Sequence, residues 1–226
     1  DVRVRQALIY ALDQDQLVQT AFQGIGTPAK SPVPPSFPCY TDEGWIYSHD
    51  TAKAQELLAD AGYADGIDLT LTYSDTRPFD EPLAVQAQAQ WAAAGINVEL
   101  QKIPNDEMSA RVATGTRDIP FFAFFEQSIV LDPGYLFFLT SLPAGAGNRN
   151  DYSNDDVSAL VEQANASLDP AERCELLAEA QALHSADAGW TVSILAGGHL
   201  VTATDINGWI WFPDNQVRWS LMNREL

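Results

Sequence analysis

The feature that most constrains the fold of this chain is a unit that occurs twice in succession: a helix, a glycine stop and a strand. Asp50 and Thr51 precede AKAQELLADAGY, which has the pattern of a capped helix ending at Gly62, and IDLTLTYS over residues 67–74 then alternates like a strand. EPLAVQAQAQWAAAGINVELQKI repeats the unit, with a helix over residues 81–94, Gly95 as its stop and a strand from Ile96 to Ile103. A shorter helix around Met108 to Ala113 leads into IPFFAFFEQ, an apolar run too dense for a half-exposed strand. It has the pattern of a central strand covered on both faces. This alternation predicts an α/β fold, a largely parallel or mixed sheet with helices on its faces.

The flanking segments fit around such a sheet. At the start, Val4, Ala7, Leu8, Ala11 and Leu12 recur at helical spacing, with Arg3, Arg5, Gln6 and Asp13 off that face. Asp13 is expected to close this helix, Asp15 to cap a second, and Gly24 and Gly26 before Pro28 to stop it. Further on, PAGAGNRND (143–151) has loop composition. Asp155 then marks one helix start and Asp169-Pro170 another, so residues 155–167 and 170–186 are expected to form an antiparallel helix hairpin. TVSILAGGHLVTAT and NGWIWFPDNQVRW close the chain as strand-like segments.

With 226 residues, 46% of them hydrophobic and no composition shift along the chain, a single domain over 1–226 is expected. Twelve basic against 31 acidic residues leave a formal charge of −19, which repels phosphate backbones and anionic membrane surfaces. No apolar run approaches the roughly 18 residues needed to span a bilayer. Cys39 and Cys174 have no metal-ligand spacing around them, and Leu176, Leu177 and Ala180 suggest burial near Cys174, so two free thiols are expected.

Enzyme signatures fail throughout: there is no nucleophile elbow, phosphate loop, dinucleotide fingerprint or zinc-protease motif. His49, His184 and His199 are far apart and have the pattern of ordinary surface or core histidines. No metal or cofactor is expected. The best binding constellation follows the apolar run: Phe124, Phe125, Glu126, Gln127 and Ser128, at the carboxyl end of a buried strand. Phe125 would pack a ligand and Glu126 pair with a cationic group. Asp132 precedes Pro133 and Gly134 as a helix cap, and Tyr135 and Phe138 can reach a cleft from that helix, although YLFFL has the pattern of a core face. Trp209, Trp211, Phe212 and Trp219 form an aromatic cluster suited to sheet packing or a domain contact.

VRQALIYALDQDQLV resembles the segment that begins the second lobe of the family 5 extracellular solute-binding proteins, the peptide and nickel type that feed ABC importers. DTAKAQELLADAGYADGIDLTLTY, AQWAAAGINVELQ, DPGYLF with NRNDYSN, and the run over 157–195 follow in that family's order. The resemblance implies a type II periplasmic-binding-protein lobe. It would be one wall of a two-lobe cleft that closes on a peptide-like or other small solute and presents it to an ABC permease. It also implies an extracytoplasmic place, periplasmic or as a cell-surface lipoprotein, with the first lobe and export signal upstream of Asp1. A severed lobe edge, tryptophans included, would then favour self-association. In peptide-binding members an aspartate about three residues before this Asp-Pro holds the peptide's amino group, whereas here that place is Ile129, with Glu126 as a displaced substitute. A hydrolase with an unrecognised carboxylate pair and a ligand-sensing module of a regulator are the alternatives.

Overall fold

The computed structural model describes residues 1–74, 76–113, 119, 121–123, 130–145, 147–189, 194–196, 203–208 and 222–224. The elements in chain order are α1 (Val2–Tyr10), α2 (Gln14–Ala21), β1 (Gly26–Pro28), α3 (Thr51–Asp60), β2 (Ile67–Ser74), α4 (Asp80–Ala93), β3 (Ile96–Ile103), α5 (Asn105–Arg111), β4 (Phe122–Ala123), α6 (Pro133–Thr140), α7 (Asp155–Ala166), α8 (Pro170–Ala186), β5 (Ile194–Ala196), β6 (Ile206–Asn207) and β7 (Asn223–Arg224).

The helix–strand units fold as their patterns predict. Gly62 and Gly95, at φ +94° and +84°, take the left-handed conformation that ends α3 and α4 and turns the chain into β2 and β3. β2 and β3 pair in parallel along their whole length, Ile67 opposite Ile96 and Ser74 opposite Ile103, and β4 pairs in parallel on the other side of β2. The described sheet order is therefore β3-β2-β4. β1 and β5 form a separate antiparallel ribbon, as do β6 and β7.

Two cap assignments change. Asp13 does not close α1. It is extended and caps α2, its Oδ1 accepting from Gln16 N at 2.9 Å, while Asp15 sits within the first turn, where its charge complements the helix dipole. Asn154, not Asp155, caps α7, its Oδ1 accepting from the N–H groups of Asp156 and Val157. In both cases the acceptor lies on the residue whose backbone is still extended. The cap of α3 by Asp50 and that of α8 by Asp169 before Pro170 stand as predicted. Of the expected strand IPFFAFFEQ, residues 119 and 121–123 are described and Phe122 and Ala123 form β4, while the Trp209, Trp211, Phe212, Trp219 cluster and His199 lie outside the described residues.

Buried side chains gather into two main clusters. One joins Leu8 of α1 and Leu12 just beyond it, Leu17 of α2, Leu58 of α3, Leu71 and Tyr73 of β2, Trp91 of α4 and Ile96 of β3. Trp91 is satisfied there, its indole N–H donating to Leu8 O at 2.9 Å. The other cluster joins Val33 and Phe37 to Phe137 of α6, Val157 and Val161 of α7, and Leu177 and Ala180 of α8. The carboxyl end of α8 links them. Arg5 donates to the carbonyls of Asp187 and Ala188, Gln6 to Ala186 and Tyr47 to Ser185, at 2.7 to 3.2 Å. A helix leaves its last carbonyls without intrahelical partners and carries partial negative charge there. A guanidinium from α1 is suited to both needs.

The expectation of two free thiols is overturned: Cys39 and Cys174 form a disulfide across 135 residues, with Cα atoms 4.8 Å apart. Cys174 does continue the stripe of α8 that holds Leu177, one turn before it, but the chain packed over that stripe is the turn-rich segment carrying Cys39. Gln181, buried two turns later, holds the same segment. Its amide donates to Cys39 O and its oxygen accepts from Ser31 Oγ and Thr41 N.

Candidate ligand-binding edge

Because β2, β3 and β4 run parallel, their carboxyl ends at Ser74, Ile103 and Ala123 lie on one edge of the sheet. That is the edge where open α/β sheets bind ligands. The predicted contacts Phe125, Glu126, Gln127 and Ser128, and Ile129, lie outside the described residues.

Tyr135, the remaining predicted contact, is in the first turn of α6 and 43% exposed. YLFFL is not a single core face. Leu136 and Phe137 are buried, whereas Tyr135 and Phe138, three residues apart and so on one side of the helix, are exposed. Asp132 caps α6 as predicted, with Pro133 at the first helical position. Its carboxylate also meets Arg173 of α8, whose Nη2 lies 2.8 Å from both oxygens. Sequence spacing gave no sign of this pair, which joins residues 41 apart.

Beside the same edge, an open groove of about 520 Å³ is lined by Arg77, Pro78, Glu81, Pro82, Val85, Gln86 and Lys102. Lys102, the penultimate residue of β3, pairs with Glu81 of α4 at 3.1 Å. Both are well exposed, and such a pair contributes at most about 1 kcal/mol. These residues were not singled out from sequence. Their one signal was that Arg77 and Lys102 are two of only 12 basic residues.

The described histidines behave as ordinary ones. His49 is partly exposed, its Nδ1 3.9 Å from Asp13. His184 is fully buried against Phe137 and Tyr152, with Ser141 Oγ 3.2 Å from its Nε2. Among the described residues no group of side chains is arranged to hold a metal ion, and no helix is long and apolar enough to cross a membrane.

Burial pushes the His184 imidazole from 6.5 down to about 3, the nearby Asp187 carboxylate opposing and Arg5 adding to the shift. The unfolded chain therefore takes up this proton first. The His184 contribution to stability is intact above the unfolded value and is lost as pH falls toward the folded one, at about 1.4 kcal/mol per pH unit. Urea unfolding at pH 7.5 and pH 5 is expected to show a loss of about 2 kcal/mol from this group, absent in His184→Gln. Equal acid slopes in the two proteins would remove His184 as the cause.

Residues 1–148 match the family model described as bacterial extracellular solute-binding proteins, family 5 Middle. The chain is 33% identical over 223 residues to the glutathione-binding protein GsiB of Pectobacterium atrosepticum, covering 94% of this chain and 42% of that protein. To the heme-binding protein A of Haemophilus influenzae it is 28% identical over 217 residues, covering 94% and 40%. Among solved structures, HbpA2 from Haemophilus parasuis superposes with a TM-score of 0.80 at 24% identity, covering all of this chain and 45% of that one. The dipeptide binding protein from Pseudoalteromonas sp. SM9913, in complex with Met-Leu, superposes at 0.83 and 21% identity, with 45% of its chain covered. These structures share the fold, the type II periplasmic-binding-protein architecture. The chain thus spans about two fifths of the length of these curated relatives. With the family model matched over 148 of its 226 residues, on a fold of helix-flanked parallel strands, the chain belongs to the family 5 bacterial extracellular solute-binding proteins.

Proposed function

We propose that this chain is one lobe of an extracytoplasmic solute receptor for an ABC import system, one wall of a cleft that closes on a peptide-like solute without turning it over. The observation that carries the reading is the family match over residues 1–148. The Cys39–Cys174 disulfide supports an extracytoplasmic place, because such bonds persist in oxidising compartments and are rare in reducing ones. Two-lobe receptors work by population shift: ligand stabilises the closed form, and the partner permease recognises that form.

The proposed contacts are Phe125, Glu126, Gln127, Ser128 and Tyr135, with an ABC permease as the downstream partner. Glu126 is assigned the cationic group of the solute, because Ile129 stands where peptide-binding members carry an aspartate. The glutathione-binding relative makes a small peptide with a free amino group the solute class of choice. Mass spectrometry of whatever co-purifies with the full-length protein, followed by calorimetry with reduced glutathione and with the dipeptide Met-Leu, tests the assignment. Retention and tight binding of a peptide-like solute is the expected result, and chemical turnover of the bound solute would overturn it.

Glu126→Gln in the full-length receptor is expected to weaken a cationic solute by about 1–3 kcal/mol, the range of a charge-assisted hydrogen bond. Unchanged affinity by calorimetry would take Glu126 out of the site.

A further inference from the structure

We infer that Arg173 is a positioning residue for Tyr135, acting through the Asp132 carboxylate, both of whose oxygens it meets; its bearing on ligand affinity rests on the proposed role of Tyr135 in the site. Asp132 Oδ1 accepts the backbone N–H of Tyr135 at 2.8 Å and, at the same distance, the Arg173 guanidinium. Capping α6 needs only the first of these bonds. The second bond therefore does something else: it fixes the direction in which the capped first turn of α6 leaves the α7–α8 hairpin.

The rest of the junction is built for a close, defined seat. Gly134 has no side chain, and a Cβ there would fall 2.1 Å from Asn165 Oδ1 of α7 and 2.8 Å from Arg173 Nη2. The first turn of α6 consequently lies flush against both helices of the hairpin. Arg173 stands on a firm part of α8: its backbone N–H donates to Asp169 O, the cap residue, and the next residue, Cys174, is covalently tied to Cys39. The Arg173 and Asp132 side chains are 22% and 36% exposed. A pair this accessible adds little to global stability, whereas a binding side chain must be held to within about 0.5 Å of its productive place. Loss of Arg173 is thus expected to act on Tyr135 geometry far more than on folding.

The test uses the full-length receptor labelled with 3-fluorotyrosine, with the Tyr135 fluorine resonance assigned by its loss in Tyr135→Phe. Arg173→Met is expected to shift and broaden that resonance while the urea midpoint stays close to wild type, and Arg173→Lys to restore it in part. Asp132→Asn keeps a cap acceptor but drops the charge, and provides the same readout should Arg173→Met fold poorly. An unaltered Tyr135 resonance in these variants overturns the positioning role. Reduced glutathione is the ligand probe: it should move the Tyr135 resonance of the wild type and bind Arg173→Met about tenfold more weakly. An Arg173-dependent Tyr135 resonance that saturating glutathione leaves unmoved in the wild type keeps the positioning role and overturns Tyr135 as a glutathione contact.

Discussion

Replacing Cys39 and Cys174 together with alanine is expected to cost about 2–5 kcal/mol of stability, the range seen when a native disulfide is removed from a small exported domain. The loop closed by this bond is long, its ends 135 positions apart in sequence. Chain entropy alone puts the effect at about 5 kcal/mol, because the cross-link restricts the unfolded chain far more than the folded one. On the folded side the same segment keeps its hydrogen bonds to Gln181, so the variant should retain native structure and simply unfold at lower urea. Equilibrium urea unfolding with and without reductant measures the difference. Thiol titration of the unfolded, unreduced protein should return no free thiol, and two after reduction. Two thiols before reduction, or a midpoint indifferent to reductant, would show that the bond does not form.

The second large effect concerns binding. On the proposed two-lobe reading, this 226-residue chain folds alone but holds solute only weakly. Its two main core clusters are formed within the chain and joined by Arg5, Gln6 and Tyr47 at the end of α8, so folding does not wait for another lobe. An enclosed ligand has about 70–90% of its surface buried, shared between the walls of its cleft. If a micromolar site draws about 8.2 kcal/mol and one wall keeps half, about 4.1 remain, which corresponds to roughly millimolar affinity. The expected result is a cooperative melt together with a thousandfold weaker affinity than the full-length receptor for the same solute. Submillimolar binding by the chain alone would sink the half-site proposal, and failure to fold would sink the autonomous lobe. Sedimentation tests the accompanying proposal that an edge bearing Trp209, Trp211, Phe212 and Trp219 drives self-association.

Of the predicted strand end before Glu126, Gln127 and Ser128, only the preceding Phe122 and Ala123 are described as strand, paired in parallel with β2, and the proposed contacts 125–128 lie outside the described residues. The division of YLFFL was not legible. Five consecutive apolar or aromatic residues cover every side of a helix, so periodicity is silent, and only packing against α7 and α8 buries Leu136 and Phe137 and leaves Tyr135 and Phe138 outside. Arg77 and Lys102 escaped notice for another reason: isolated basic residues carry no pattern until β2, β3 and α4 set them around one groove.

By itself the sequence determined much of what is local: β2 and β3 at their observed bounds, the glycine stops at Gly62 and Gly95, the caps at Asp50, Asp132 and Asp169, and the hairpin of α7 and α8, though not the caps of α2 and α7. It also carried the family, since those local choices recur in one order along the chain. Tertiary structure alone decided the partnership of Cys39 with Cys174, the seating of Arg5 on the carbonyls that end α8, and the grip of Arg173 on Asp132. The physical reason is one of range. Caps, stops and alternation are governed by backbone geometry and hydrogen bonds within a few residues. A side chain's distant partner is set by how the packed elements close on one another, and a pattern of apolar positions states that a face is buried without stating against what.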